Sequence, residues 1–383
     1  MTGVLRRHVP GEALPVSHVE LFFDLVYVFA VTQLSQTLHE HLTARGALET
    51  LVLFLAVWWA WNYTAWATNW IDPENVAVRL LMVGLMLISL VMSAAIPEAF
   101  DGRALVFALA YVGLQVVRSA FMVAAFAGDR MGRNYAQLLA WSCIAGVAWV
   151  AGAAVEGDAR LVFWIVAVLV DYAAPWHGFA LPRLGRTSTS DWTLAGAHLA
   201  ERNQLVLLIA LGESILAIGA TFAGLSWTAP VVAAFLVGFL ATAAFWWIYF
   251  GRAEEAARTI ASAADPTRVG RAGYAYAHGI MVAGVIVLAV AIDLTIADPT
   301  ASSWGRASVV ILGGPILYLA GNLLFKWSLV RYFPASRLAG LGGLVLLIPL
   351  AATLNRLALA TAAALVVVVL AAATPLTSGD DAT

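Results

Sequence analysis

The residues with chemistry to offer begin with two carboxylates four positions apart, Glu20 and Asp24, in the run His18 to Leu38 (HVELFFDLVYVFAVTQLSQTL). At 3.6 residues per turn they share one helical face, near one end of a stretch that is otherwise apolar and long enough to cross a bilayer. A carboxylate facing lipid is costly, so this face must meet other helices or water. There the pair can coordinate a cation, take up a proton or tether a basic partner. The purely structural alternative makes Glu20 a helix-start acid and Asp24 an anchor, with no part in a pathway.

Further costly residues lie inside apolar runs: Arg118, Asp171, Glu213 and His278, with the amides Asn62 and Asn322. At 1.5 Å per residue from the cytoplasmic end of each span, Asp24, Arg118, Asp171, Glu213 and His278 fall at depths of about 8–13 Å. Groups at one depth can share a pocket or a wet vestibule. Arg118 has three carboxylate candidates, Asp24, Asp171 and Glu213. It can neutralise one or two, which leaves a surplus acid for a proton or a cation. The competing reading is a buried ion-pair network that locks helices together. His278 is either a titrating partner or a satisfied hydrogen-bonding residue. Glu201 joins the set as the second-half counterpart of Glu20.

Other chemistries find no support. His39-Glu40-His41 lacks the i, i+4 histidine spacing of a zinc helix and reads as a solvated loop, so no metal is expected. There is no P-loop, dinucleotide fingerprint, nucleophile elbow or paired-cysteine motif, and no cofactor is called for. Ser214, in Gly212-Glu213-Ser214, has no matched base nearby in sequence. The single Cys143 sits in an apolar run and allows no intramolecular disulfide framework. A net charge of −2 without a basic stripe gives no reason to expect nucleic acid.

The elements that must position these residues are membrane helices, since 62% of the chain is hydrophobic, 11% is charged and the mean hydropathy is +0.86. Apolar runs of about 17–25 residues predict an all-α protein of about twelve spans. They fall near 18–38, 47–69, 77–96, 104–126, 135–155, 160–180, 204–225, 229–250, 273–296, 306–326, 336–354 and 356–373. The chain thus divides into a six-helix repeat over 1–181, a cytoplasmic linker over 182–203, a second six-helix repeat over 204–374 and a short acidic tail over 375–383. Fifteen Lys and Arg of the connections, from Arg6 and Arg7 to Arg331 and Arg337, lie on the side of the N-terminus; five, Arg45, Arg103, Arg160, Arg306 and Arg356, lie opposite. The bias puts both termini in the cytoplasm. No cleavable signal is evident, because Pro10, Gly11, Glu12 and Pro15 follow Arg6 and Arg7 where an apolar core would be needed. Glu20 and Glu201, Trp58-Trp59 and Trp246-Trp247, Asp72-Pro73 and Asp265-Pro266, and Gly102-Arg103 and Gly305-Arg306 recur in order. An even number of spans per unit makes this a parallel repeat.

At VELFFDLVYVFAVTQLS, HLAERNQLVLLIALGESIL and YAYAHG the sequence resembles the bacterial low temperature requirement A family over nearly its whole length. The resemblance implies a multi-pass inner-membrane protein and no particular reaction. His18-Val-Glu20-Leu-Phe22-Phe23-Asp24 also resembles the first-helix RxEAFSD pattern of the lysosomal potassium channel family. Glu20, Phe22 and Asp24 match, while His18 stands for the Arg and Phe23 for the Ser. This second likeness implies that the first helix of each repeat lines a path, with Asp24, Val28, Val31, Ser35 and Leu38 as the stripe facing it.

The expectation is therefore a cation or proton channel or transporter of the inner (plasma) membrane with a cytoplasm-facing polar cavity, its partners the lipid bilayer and a monovalent cation or proton. The alternatives are an intramembrane enzyme or lipid-acting protein that uses the same acids as general acid and base, or a scaffold without transport. A homo-oligomer is left open.

Overall fold

The computed structural model describes residues 3–6, 15–192, 194–251, 253–261 and 265–374. The acidic tail over 375–383 lies outside them, as do Arg7, Arg252 and residues 10–12. The described chain is all-helical, with isolated bridges in place of strands. Its helices are α1 (His18–Glu40), α2 (Ala44–Ala67), α3 (Val76–Ala95), α4 (Ala104–Ala125), α5 (Arg130–Ala153), α6 (Gly157–Ala173), α7 (Gly196–Ala223), α8 (Ala229–Phe250), α9 (Ala253–Ala261), α10 (Pro266–Gly270), α11 (His278–Ala297), α12 (Arg306–Val330), α13 (Ala335–Leu346) and α14 (Arg356–Ala372). A π-turn over Arg271–Ala277 joins α10 to α11. Ten stretches among the described residues are long and apolar enough to cross a bilayer. α6 and α14 have 17 residues each.

Local sequence sets the ends. Asn75 caps α3 by accepting the Ala77 N–H at 2.9 Å, and Asn355 caps α14 through Ala358 at 2.8 Å. Pro349 supplies no N–H, and the helix begun at Ala335 gives way to a 3-10 turn over Pro349–Ala352. Three boundaries differ most from expectation. Helix α6 ends at Ala173 instead of near 180, where Pro175 and the left-handed Gly178 follow. Helix α7 starts at Gly196 instead of near 204, because Gly196 to Leu205 contains no breaker after its first residue. His39 and Glu40 form the last turn of α1 instead of a free loop, and His39 Nδ1 lies 2.6 Å from Asp293 Oδ2.

The chain divides into two compact units. The first comprises Met1–Thr37, Ala44–Arg202 and Ala264–Arg268. In it α4 packs on α2, α3 and α5, and α6 packs on α2 and α5. The rings of Phe107, Tyr111, Trp149 and Trp164 fill the seam with centroids 4.9–6.0 Å apart. Residues 3–6 run antiparallel to the chain after α2, with Arg6 N–H on Trp70 O at 2.9 Å and Asp72 N–H on Val4 O at 2.8 Å. The second unit comprises Leu38–Thr43, Asn203–Ala263 and Val269–Thr383. Here α11 lies against α12, and α8 against α14. Gly284 allows the first contact: a Cβ there would stand 2.5 Å from Tyr318 N and 2.9 Å from Gly314 O.

Candidate functional site

The start of α1 builds the most charged buried site. Ser17 precedes the helix and Glu20 follows three residues later, the spacing of a capping box. Glu20 Oε2 accepts the Ser17 N–H and O–H, each at 2.8 Å, together with Arg6 Nη2 at 2.9 Å. Glu20 Oε1 faces His198 Nε2 at 2.9 Å and Arg202 Nη1 at 3.2 Å. One turn on, Asp24 Oδ1 accepts Arg202 Nη2 at 2.6 Å and Trp61 Nε1 at 2.8 Å. Asp24 Oδ2 is buried with no hydrogen-bond partner. Arg202 also donates to Thr68 Oγ1 at 3.2 Å and lies over the Trp61 ring at 5.9 Å. Asn69 places the histidine. Its Nδ2 stands 3.2 Å from His198 Nδ1 while both ends of the amide bond the Ala195 backbone, at 2.8 and 3.1 Å. An amide N–H can only donate, which assigns the ring proton to Nε2, facing Glu20.

The geometry is a double zip. Glu20 and Asp24 stand four apart on α1, His198 and Arg202 four apart on α7, and the earlier member pairs with the earlier, so these turns run parallel. Two carboxylates meet two guanidiniums, Arg6 and Arg202, and the charges balance with His198 neutral. Removing such ions from water costs several kcal/mol each, which only near-complete hydrogen bonding offsets. Among the described residues of this cluster, Asp24 Oδ2, Arg202 Nε and His198 Nε2 are the buried polar atoms without a partner of hydrogen-bond geometry, the last of them 2.9 Å from Glu20 Oε1.

A model of the bacterial low temperature requirement A protein matches residues 15–372 of this chain. The chain belongs to the bacterial low temperature requirement A family. An uncharacterized protein of Rhizobium meliloti (strain 1021) is 38% identical over 330 residues, 85% of this chain and 80% of its own length. The family match takes in Glu20, Asp24, His198 and Arg202, while Arg6 precedes it. With ten helices among the described residues long and apolar enough to cross a bilayer, this family member is a multi-pass membrane protein.

The other residues singled out in this family member distribute as follows. Arg118 is buried, and no carboxylate lies within 4 Å of it among the described residues; the partner expected from Asp24, Asp171 or Glu213 is absent. It bonds Gln115 Oε1 at 2.5 Å, Thr64 Oγ1 at 3.3 Å and Ala60 O at 3.5 Å, over the Tyr63 ring at 5.2 Å. Of its three candidate acids, Asp24 instead takes Arg202, because α7 begins early enough to carry that guanidinium two turns into the helix. Asn62 is buried with Nδ2 unbonded. Glu201 is exposed and accepts the Val16 N–H at 3.3 Å, near the start of α1. On α1, Val31, Ser35 and Leu38 are buried and Val28 is half-buried, while Leu21, Phe22, Leu25 and Phe29 form the exposed, lipid-type face. In the second unit Glu213 is buried. His278 donates from Nδ1 to Gly273 O at 3.0 Å and accepts the Tyr249 O–H at Nε2 at 2.7 Å, so it is a satisfied hydrogen-bonding residue. Asn322 Oδ1 accepts Arg337 Nε at 3.1 Å, deep enough that Arg337 is buried instead of lying in a connection.

Sequence reasoning missed His198, Arg202, Arg6, Asn69 and Trp61. The signal for two of them was present: His198 and Arg202 repeat the four-residue spacing of Glu20 and Asp24 with opposite polarity. Arg202 was instead counted among the cytoplasmic positive charges. Arg6, Asn69 and Trp61 carry no periodic signal.

Proposed function

We propose that this protein moves a monovalent cation or a proton across the bacterial inner (plasma) membrane, and that Asp24 is the group that binds it on the cytoplasmic side. The observation that carries the reading is the asymmetry of Asp24: Oδ1 is held by Arg202 and Trp61, while Oδ2 is buried one turn inside the helix without a donor. An unmet carboxylate oxygen in a low-dielectric site is expensive, and a proton or a dehydrated cation satisfies it. Arrival there weakens the hold of Arg202, and departure restores it. The internal guanidinium and the mobile cation thus compete for one carboxylate.

The proposed architecture is twelve spans in two parallel six-helix repeats with both termini cytoplasmic. The parallel course of α1 and the first turns of α7 supports the repeat, and α6 and α14 complete twelve if their flanking turns share the bilayer. Leaving out the buried arginines on both sides, Arg202 and Arg337 from the fifteen and Arg160 from the five, gives thirteen against four, a bias in the same direction.

The second reading, a scaffold without transport, is favoured by the number of donors on Glu20 and by the balance of charge around it. Flux by purified protein in liposomes separates the two, with potassium and proton gradients imposed in turn. Transport predicts flux under one gradient that falls in Asp24→Asn and changes in Glu213→Gln, with membrane insertion intact. Unaltered flux in both folded variants removes these acids from the path, and no flux under either gradient in folded protein leaves the scaffold.

A further inference from the structure

The first unit contains a second buried polar network, which the Asp24 cluster does not use. Asp171, on α6, is buried, and its Oδ2 accepts the Tyr111 O–H at 2.7 Å and the Trp149 N–H at 3.2 Å. Among the described residues no cation lies within 4 Å of it, and no donor reaches Oδ1. Arg118, on α4, has the complementary defect of a buried charge without a carboxylate, with Nε unbonded. Two neutral side chains join them. Arg118 Nη2 donates to Gln115 Oε1 at 2.5 Å, Gln115 Nε2 donates to the Tyr111 hydroxyl at 3.0 Å, and Tyr111 donates to Asp171. Every donor in the chain points from the cation toward the anion.

The groups around Asp171 are few. Helix α4 contributes Tyr111 and Arg118, α5 contributes Trp149, and α2 contributes Tyr63 beneath Arg118. Tyr172, next on α6 itself, turns its hydroxyl to Leu55 O at 3.0 Å. A guanidinium in direct contact, as at Asp24, holds a carboxylate ionised, whereas Coulomb attraction falls with distance and is weaker across two side chains. The bonds suit both protonation states. With a proton on Oδ1, Oδ2 becomes the carbonyl oxygen and still accepts from Tyr111 and Trp149, so nothing in the chain must turn over.

We propose that Asp171 is a proton-binding site which loads and unloads at Oδ1, with Arg118 as its remote counter-charge through Gln115 and Tyr111. In loading, one O–H bond forms at Oδ1 as hydronium returns to water; unloading is the reverse. Each loading neutralises the remote counter-charge of Arg118, whose own contacts are Gln115, Thr64, Ala60 O and the Tyr63 ring. The inference rests on the transport reading for the role of this proton, but not for its binding.

Infrared difference spectroscopy of the full protein in lipid vesicles, between acid and alkaline buffer, tests it. The expected result is a protonated-carboxyl C=O band that disappears in Asp171→Asn, persists in Asp24→Asn and moves in frequency in Tyr111→Phe, where the O–H touching the carboxyl is gone. The Tyr111→Phe shift keeps the test open if Asp171→Asn does not fold. A band sensitive to these changes supports the site whether or not the vesicles move ions. Its absence from folded protein across the pH range overturns the site, even where the vesicles move protons.

Discussion

Replacing Arg202 by Gln removes the guanidinium that spans Glu20 and Asp24. Glu20 keeps Arg6, Ser17 and His198. Asp24 keeps only the Trp61 N–H, so a buried carboxylate is left without a cation, a loss of about 3–5 kcal/mol. Asp24→Asn leaves Arg202 with Glu20 and Thr68 and removes one charge-assisted bond, a loss of about 1.5–3 kcal/mol. In the double variant neither charge is stranded and an amide can bond an amide. The two losses therefore overlap by about 2 kcal/mol, roughly a thirtyfold difference in the unfolding equilibrium. The assay is reversible unfolding in mixed micelles, followed by far-ultraviolet circular dichroism and tryptophan fluorescence, which must coincide for the energies to be comparable. Single losses under about 1 kcal/mol, or additivity within about 0.5 kcal/mol, would refute the claim that these two side chains share one buried interaction.

Glu20→Gln is expected to destabilise by more than about 3 kcal/mol, since Arg6 and Arg202 both lose a carboxylate, whereas Glu201→Gln, at an exposed side chain, changes unfolding by less than about 0.5 kcal/mol. Equal effects in the same unfolding assay would contradict the burial difference. Gly284→Val forces a side chain against the Tyr318 and Gly314 backbone and is expected to separate α11 from α12, read as loss of monodisperse folded protein on size exclusion. Gly313→Ala, whose added Cβ comes no nearer than 3.9 Å to Val287, is expected to behave as the parent.

How much was legible depends on whether the controlling interaction is local. The apolar runs made a multi-helix membrane protein legible, with ten helices of spanning length among the described residues, because a bilayer demands satisfied backbone over a fixed thickness, whatever the neighbours are. The face of α1 was legible for the same reason: Glu20 and Asp24 are four apart, and the exposed residues Leu21, Phe22, Leu25 and Phe29 fall on another stripe. The start of α7 was misplaced because hydropathy ends at Gln204, while helix propensity continues back to Gly196. That error hid His198 and Arg202 as a matching pair. Counting Arg202 and Arg337 as surface charge failed likewise, since positive-charge statistics describe connections and do not see which helix turn a residue occupies.

The sequence by itself determined the class of molecule, an all-helical membrane protein of the low temperature requirement A family, and which helices carry charge into the apolar interior. Both follow from short-range physics: hydrophobic length, helical period and the cost of an ion in hydrocarbon. Tertiary structure alone decided the partners. Depth placed Arg118 level with three acids, but a buried pair also requires the two helices to be neighbours and turned toward each other. Arg118 faces Gln115, Thr64 and the Tyr63 ring, while Asp24 faces Arg202. Electrostatic pairing acts over a few ångströms, and which helices come within that distance is settled by how all of them pack.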